Sequence, residues 1–177
     1  MNATTNTMTT PSTEHLPDAG KYLTFTLAHE RYSVPVLKVK EIMRLCPVTP
    51  VPRMPVYIKG VINLRGKIVP VIDLRERFGL PQMADTERIC IIVVQFDTAD
   101  GIAQLMGMIV DVVEEVSQFN TDELEAPPDF GGAIDTRFIV GMAKSKGSVK
   151  TLLDIDRLLN HAGQIEPIAL GLDANHS

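Results

Sequence analysis

The chain has 177 residues, of which 45% are hydrophobic and 22% charged, a composition typical of a globular protein with one domain or two small lobes. A chain of about 150 residues buries roughly 70% of the surface that its unfolded form exposes, so it needs neither a metal nor a disulfide to hold a core. The net charge of −5 and the scattered Lys and Arg residues argue against a nucleic-acid partner, because phosphate binding requires clustered cations.

Cysteine content and hydropathy indicate the compartment. Cys46 and Cys90 lack C-x-x-C spacing, and two cysteines are too few for a secreted disulfide framework. Residues 1–17 carry no basic segment followed by an apolar run, so they do not resemble a secretory signal. The longest strongly apolar run, residues 89–96, is far shorter than the roughly 20 residues of a membrane-spanning helix. We therefore expect a soluble, cytoplasmic protein with a disordered N-terminal lead over residues 1–20.

The first ordered segments predict a strand pair followed by a short helix. Residues 22–27 alternate as a half-buried strand does, and residues 32–36 can return as its partner. Residues 37–45 place apolar side chains at near-helical spacing with charged residues opposite, which predicts a short helix. The next segment, residues 46–55, contains four prolines and is expected to cross the surface in an extended form.

A β-hairpin is predicted over residues 61–72. Residues 61–64 and 67–72 are strand-like, and Gly66 after Arg65 supplies the positive φ that a two-residue hairpin loop requires. Arg65 is therefore expected at an exposed turn. Residues 73–78 read as a short helical turn that ends at a Gly and a Pro.

The second half of the chain continues in the same style. Further strands are predicted at residues 89–96, 102–113, 114–119, 138–143 and 149–155. A loop is expected at 122–135, a short helix at 156–160 and a flexible tail at 163–177. Many short strands with frequent turns indicate a mainly β fold of the barrel or sandwich type.

The search for chemistry favours a protein that is not an enzyme. The four histidines are scattered, without the spacing of a metal site or of a nucleophile and its base. No G-x-x-x-x-G-K-[ST] or G-x-G-x-x-G sequence occurs. Acidic pairs such as Asp111 with Glu114 or Glu115, and Asp154 with Asp156, are expected to be solvent-exposed and therefore unsuited to acid–base work. We expect neither metal nor cofactor.

Residues 57–75, with the sequence YIKGVINLRGKIVPVIDLR, resemble the signature segment of the CheW family of chemotaxis coupling proteins. Further matching segments lie at residues 37–42, 110–113, 126–130 and 152–159, so the resemblance spans about residues 21–160. It implies a mainly β fold of two small five-stranded SH3-like β-barrel lobes around a shared hydrophobic centre. The lobes would cover approximately residues 21–85 and 86–162, with termini that could cross between them.

The resemblance also implies a function. Members of this family bridge the cytoplasmic tip of methyl-accepting chemoreceptors and the regulatory domain of the histidine kinase CheA, without enzymatic activity or cofactor. The expected protein is monomeric when free and recruited to membrane-associated receptor arrays. Two alternatives remain: coupling in a non-flagellar pathway that serves pili or another output, and a small-molecule-binding barrel protein or enzyme on the same fold.

Individual positions can be carried over from the family pattern. Val39, Glu41 and Arg65 match receptor-facing positions, and Phe130 matches a position at a kinase-contacting surface. Gly60 and Gly66 are expected to be structural, permitting a turn or a close backbone approach. Simpler explanations stay open: a turn Arg is often only solvated, Val39 could belong to the core, and Phe130 could fold back on its own lobe.

Overall fold

The computed structural model describes residues 16–81, 87–128 and 136–163, and within these ranges lie eleven strands and two α-helices. The strands are β1 (Gly20–Leu27), β2 (Glu30–Pro35), β3 (Val39–Arg44), β4 (Ile58–Leu64), β5 (Lys67–Asp73), β6 (Cys90–Asp97), β7 (Ala103–Val110), β8 (Val112–Phe119), β9 (Leu124–Glu125), β10 (Ile139–Ser145) and β11 (Ser148–Leu153). The helices are α1 (Leu74–Arg77) and α2 (Ile155–Gly163). No helix in the described ranges is long and apolar enough to cross a bilayer.

The strands form two sheets, one ordered β8-β1-β2-β11-β10-β9 and the other β3-β6-β7-β5-β4. Strand pairs are antiparallel except β2 with β11 and β5 with β7, which are parallel. The six-stranded sheet combines β1 and β2 with the last four strands, whereas the five-stranded sheet is built from the middle of the chain. The predicted mainly β fold with two lobes is confirmed, and the six-stranded sheet gains its extra member from the two-residue β9.

Within the described ranges, buried apolar side chains form three clusters. One, the shared core, draws on both sheets and both helices and contains Leu23, Phe25, Leu27, Val34, Ile58, Ile72, Leu74, Ile92, Val94, Phe96, Met106, Met108, Val110, Phe138, Leu153, Ile155, Leu158 and Leu159. The six-strand core contains Tyr22, Phe119, Leu124, Ala143 and Leu152. The five-strand core contains Ile62, Val69, Val71, Ile91 and Val93.

Strand β6 shows how the sequence builds these clusters. Ile91 and Val93 lie in the five-strand core, while Ile92 and Val94 lie in the shared core. Successive side chains of a strand point to opposite faces, so a continuous apolar run is required where both faces are buried. The run of apolar residues in β6 therefore reflects a strand with one core on each side.

The prediction of a short helix at residues 37–45 is wrong. Only Val36–Lys38 forms a 3-10 turn, and Val39–Arg44 is the edge strand β3, paired with β6. Exposure alternates along β3, with Lys40, Ile42 and Arg44 exposed. Over so few residues an apolar pattern fits either period, and the ladder to β6 decides in favour of a strand. The predicted loop at 122–135 likewise holds a 3-10 turn and β9 at its start, while residues 129–135 lie outside the described residues.

The five-stranded sheet curls so that its two edges meet. Thr49, in the segment after β3, pairs with Val61 of β4 through two backbone hydrogen bonds of 2.9 Å each. Because β3 and β4 are the outer strands in the sheet order, this bridge occupies backbone groups that an open edge would leave available. Gly60 lies beside the bridge, with φ of 142°, and a Cβ placed there would come within 1.9 Å of the Thr49 carbonyl oxygen. Only glycine permits this approach.

Candidate partner-binding surface

The turn between β4 and β5 presents Arg65 to solvent. Arg65 and Gly66 have φ values of 52° and 86°, as a two-residue type I′ turn requires. The Asn63 Oδ1 atom accepts a hydrogen bond of 2.8 Å from the Gly66 backbone N–H, which fixes the turn. The side chain of Arg65 is 81% exposed. The predicted hairpin and the position of Arg65 at its tip are confirmed by this geometry.

Glu41 and Arg65 form an ion pair between the two edges of the five-stranded sheet. Glu41 lies in the outer strand β3, and Arg65 lies in the turn that follows the other outer strand, β4. The Arg65 Nη2 atom donates to the Glu41 Oε1 atom at 3.3 Å, and the Glu41 side chain is 26% exposed. Glu41 lies opposite Val93 of the five-strand core, so its carboxylate sits at the rim of that core. A guanidinium has five N–H donors, and within the described residues this contact uses one of them. Arg65 can therefore bind a further carboxylate or carbonyl.

Val39 lies on the other face of β3. Its cross-strand partner is Val94, and it packs partly buried against the shared core. A register irregularity between Val39 and Glu41 separates the two residues onto different faces. Ile42 lies opposite Ile92 of the shared core and remains 45% exposed. Val39 and Ile42 thus extend the shared core to the surface along the edge strand β3, and we call them the β3 apolar strip.

The remaining predicted positions fall in two groups. Gly60 lies inside β4 at the close approach of Thr49, and Gly66 lies in the hairpin turn. Phe130, predicted as a kinase contact, lies outside the described residues. The predicted lead over residues 1–20 and tail over residues 163–177 also lie outside them, except for residues 16–20 and Gly163.

Sequence reasoning missed a buried ion pair between the lobes. Asp111 was expected at the surface, yet it is only 6% exposed and lies where the chain passes from β7 to β8. Its two carboxylate oxygens accept from Arg75 Nε at 2.6 Å and Nη2 at 2.5 Å, and Oδ2 also accepts from the Ala28 backbone N–H at 2.8 Å. Hydrogen bonding to this carboxylate raises the pKa of Arg75. The position of Asp111 inside the apolar run 102–113 could have indicated its burial, because a carboxylate in such a run needs a buried partner.

A second polar link joins α2 to the five-stranded sheet. The Lys38 Nζ atom donates to both carboxylate oxygens of Asp156, at 3.2 Å and 3.1 Å. The same carboxylate accepts from the Asp97 backbone N–H at 3.0 Å. Asp154, the other acid of that predicted pair, accepts from the Arg157 backbone N–H at 3.0 Å at the start of α2. Both carboxylates therefore have structural contacts. Among the described residues no three His, Cys, Asp or Glu side chains are placed to hold a metal ion.

Comparison with known proteins decides the family. A family model described as a CheW-like domain matches residues 21–163. The chain belongs to the CheW family. The chemotaxis protein CheW of Klebsiella aerogenes is 34% identical over 140 residues, which cover 79% of this chain and 81% of the relative. Protein FrzA of Myxococcus xanthus is 29% identical over 149 residues, covering 81% of this chain and 88% of the relative.

A solved CheW structure shares the fold. The scaffolding protein TtCheW from Thermoanaerobacter tengcongensis superposes with a TM-score of 0.72 at 34% sequence identity, covering 84% of this chain and 97% of that one. Membership of the CheW family, whose solved relative is named a scaffolding protein, confirms the prediction that the chain is not an enzyme.

Proposed function

We propose that the chain is an adaptor that couples methyl-accepting chemoreceptors to the regulatory domain of the histidine kinase CheA. It would act in the cytoplasm, monomeric when free and recruited to membrane-associated receptor arrays. The proposal rests on the family to which the chain belongs and on the β3 edge of the five-stranded sheet, where the exposed Arg65 guanidinium contacts Glu41 on one face and the β3 apolar strip lies on the other.

This surface suits a helical partner such as a receptor tip. The exposed Ile42 and the partly buried Val39 can contact the apolar face of a helix, which is how an amphipathic helix is usually recognised. Arg65 adds a planar fork of donors that can pair with a carboxylate or with carbonyl oxygens at a helix C-terminus. In this assignment Arg65 is the principal contact, Glu41 holds its guanidinium in place, and Val39 supplies apolar area. Phe130 is proposed as the kinase contact from the family pattern alone.

The experiment compares Arg65→Ala with Lys67→Ala in binding to a receptor signalling fragment. Lys67 is an exposed cation directly after the same turn, so it controls for a simple loss of positive charge. Arg at the centre of an interface is often a hot spot worth more than about 1.4 kcal/mol, so we expect Arg65→Ala to weaken receptor binding about tenfold or more. Lys67→Ala should leave it within about twofold, since rim charges contribute little.

Binding to the CheA regulatory domain and thermal unfolding complete the test. Both should be unchanged in Arg65→Ala, because an exposed turn residue contributes little to stability. Equal receptor binding by the two variants would remove Arg65 from the contact surface. A folded wild-type protein that binds neither receptor fragment nor CheA would contradict the adaptor function itself.

A second candidate is coupling in a pathway with another output, such as pili. The similarity to Protein FrzA supports this second candidate, because the name of that relative does not mention chemotaxis. Deletion of the gene, followed by assays of swimming and of surface motility, distinguishes the two. Loss of directed swimming alone supports the flagellar pathway, and loss of surface motility alone supports the alternative.

A further inference from the structure

The face of the six-stranded sheet that carries the six-strand core changes from apolar to polar along its strands. On β11, Leu152 belongs to that core, and Lys150, two residues earlier, shares its face. Near them the hydroxyls of Thr24 and Ser33 are 2.8 Å apart, and both residues are fully buried. Buried polar side chains are costly unless they are hydrogen-bonded. Thr24 and Ser33 satisfy each other, which leaves Lys150 as the polar residue of this face whose partner must be identified.

Lys150 lacks a hydrogen-bond acceptor among the described residues. The residue is 5% exposed, and its Nζ atom lies 5.2 Å from the centre of the Phe119 ring. Its ion-pair partner is Glu115, whose Oε1 atom is 3.8 Å away, beyond hydrogen-bonding distance, and whose side chain is 64% exposed. Within the described residues the ammonium therefore has no hydrogen-bond acceptor. The stem of Lys150 is buried, while its ammonium keeps access to solvent through an open cavity, where its three N–H groups can meet acceptors.

A cavity of about 420 Å³ opens at Lys150, between β8 and the β10–β11 turn. This volume falls in the range of small-molecule sites. Its lining also includes two further cations, Arg31 and Lys146, and the serines Ser117, Ser145 and Ser148. The carboxylates of Glu114 and Glu115 line it as well, so the cavity is polar and carries charges of both signs.

The side chains that line this cavity include more cations than carboxylates. The Arg31 Nε atom is 3.3 Å from Glu114 Oε2, so Arg31 is neutralised, and the Thr26 hydroxyl donates to the same carboxylate at 2.9 Å. Lys146 and Lys150 then face the single carboxylate of Glu115. Since Glu115 is largely exposed, it can turn to solvent and release Lys150 to another anion.

We propose that this cavity binds the carboxylate or phosphate group of a small molecule, with the Lys150 ammonium as its principal donor and Lys146 and the hydroxyls of Ser117 and Ser145 as further donors. The Ser148 hydroxyl already donates to the Ser145 carbonyl oxygen at 3.0 Å. The cavity lies on the six-stranded sheet, whereas Arg65 and the β3 apolar strip lie on the five-stranded sheet. The competing explanation is that Lys150 covers Phe119 with its stem and only reaches for water at the cavity mouth, as long cationic side chains do. That explanation predicts no specific anion binding.

The test is a titration of the full-length protein with inorganic phosphate and, separately, with citrate, followed by two-dimensional NMR of the backbone amides. Sodium chloride at matched ionic strength controls for screening. We expect saturable shifts confined to β8, β10 and β11. Saturation by phosphate alone identifies a phosphate-bearing ligand, and saturation by citrate alone identifies a carboxylate.

Variants assign the binding to Lys150. Lys150→Met keeps the apolar stem and should lower affinity about tenfold or more, because a hydrogen bond to a charged group is lost. Lys144→Met is the matched control, since Lys144 is 61% exposed, pairs with Glu125 and does not line the cavity. Glu115→Gln should tighten binding, whereas Glu125→Gln should not. Shifts that match those in sodium chloride, or equal affinity in wild type and Lys150→Met, would overturn the proposal. If Lys150→Met fails to fold, the wild-type and Glu115→Gln titrations decide.

Discussion

Arg75 and Asp111 bring opposite charges together in the interior where the two sheets meet. Their side chains are 9% and 8% exposed, and the contact is bidentate. Arg75 also donates to the Pro81 carbonyl, and Asp111 binds the turn after β1 through Ala28. One ion pair therefore connects α1, the β7–β8 junction and the β1–β2 turn. A pair that is fully hydrogen-bonded in this way fixes geometry more than it adds stability, because both charges have lost their hydration.

We expect Asp111→Asn to lower the free energy of unfolding by about 3 to 5 kcal/mol, because it leaves the Arg75 charge buried without a counter-charge. The double variant Arg75→Met with Asp111→Leu should recover much of that loss, since it removes both charges. Urea unfolding at pH 7, followed by circular dichroism, measures both effects.

The control is the exposed pair of Lys144 and Glu125, with side chains 61% and 53% exposed. Glu125→Gln should change stability by less than about 1 kcal/mol, because solvent screens such pairs. Similar losses for Asp111→Asn and Glu125→Gln would mean that the buried pair has no special importance.

At the scale of single elements, the sequence predicted correctly those features that depend only on neighbouring residues. The turn at Arg65 and Gly66 was predictable because a two-residue hairpin demands positive φ at both central positions. Strand β3 was not, because its apolar residues satisfy a helical period as well as a strand period, and only the distant strand β6 resolves the choice. The burial of Asp111 was missed for the same reason, since its partner Arg75 comes from another element.

Helix α1 is short enough to depend on its cap. The Asp73 carboxylate accepts hydrogen bonds from the backbone N–H groups of Arg75, at 2.9 Å, and Glu76, at 3.4 Å. Burial nevertheless raises the pKa of Asp73, with a smaller contribution from the charge of Glu76, while the two backbone hydrogen bonds and Lys59 oppose the rise. The folded protein therefore holds the Asp73 proton more tightly than the unfolded chain does.

This shift has a definite sign for stability. The stabilisation that protonated Asp73 contributes is complete below its unfolded pKa of about 3.9 and is lost as pH rises through the raised folded pKa. Asn caps helices about as well as Asp but does not titrate. We therefore expect the stability of Asp73→Asn, relative to wild type, to increase as pH rises from about 3.5 to about 6. Urea unfolding across this range measures the difference.

The control for Asp73→Asn is Leu37→Ala, at a 90% exposed side chain that does not titrate. Its stability relative to wild type should stay constant with pH over the same range. A relative stability of Asp73→Asn that falls with rising pH would show that the cap charge outweighs the burial of the carboxyl.

At the scale of the whole molecule, the pairings that organise the fold are those that local sequence cannot specify. Ser33 of β2 pairs with Leu152 of β11, so the first hairpin is completed by the last strand. Strands β2 and β11 were both predictable from their own sequences, but the choice of partner depends on which apolar faces can be buried together. The family resemblance supplied the two-lobe arrangement that periodicity left open.

Because the shared core draws on both sheets, we expect the two lobes to unfold as a single cooperative unit. Leu158 of α2 is fully buried within this core. We expect Leu158→Ala to lower the free energy of unfolding by about 2 to 5 kcal/mol, as large-to-small changes in a core do. Leu37→Ala is the matched control, because Leu37 is 90% exposed and should change stability by less than about 0.5 kcal/mol.

Native-state hydrogen exchange tests the cooperativity directly. Phe25 of β1 and Ile92 of β6 belong to different sheets but to the same core, so Leu158→Ala should lower the protection of their slowest amides by the same free energy. If each lobe were stabilised by its own core alone, only the amides of one sheet would lose protection. Because the β3 apolar strip is the surface continuation of this shared core, a common loss would also mean that the proposed receptor surface depends on both lobes.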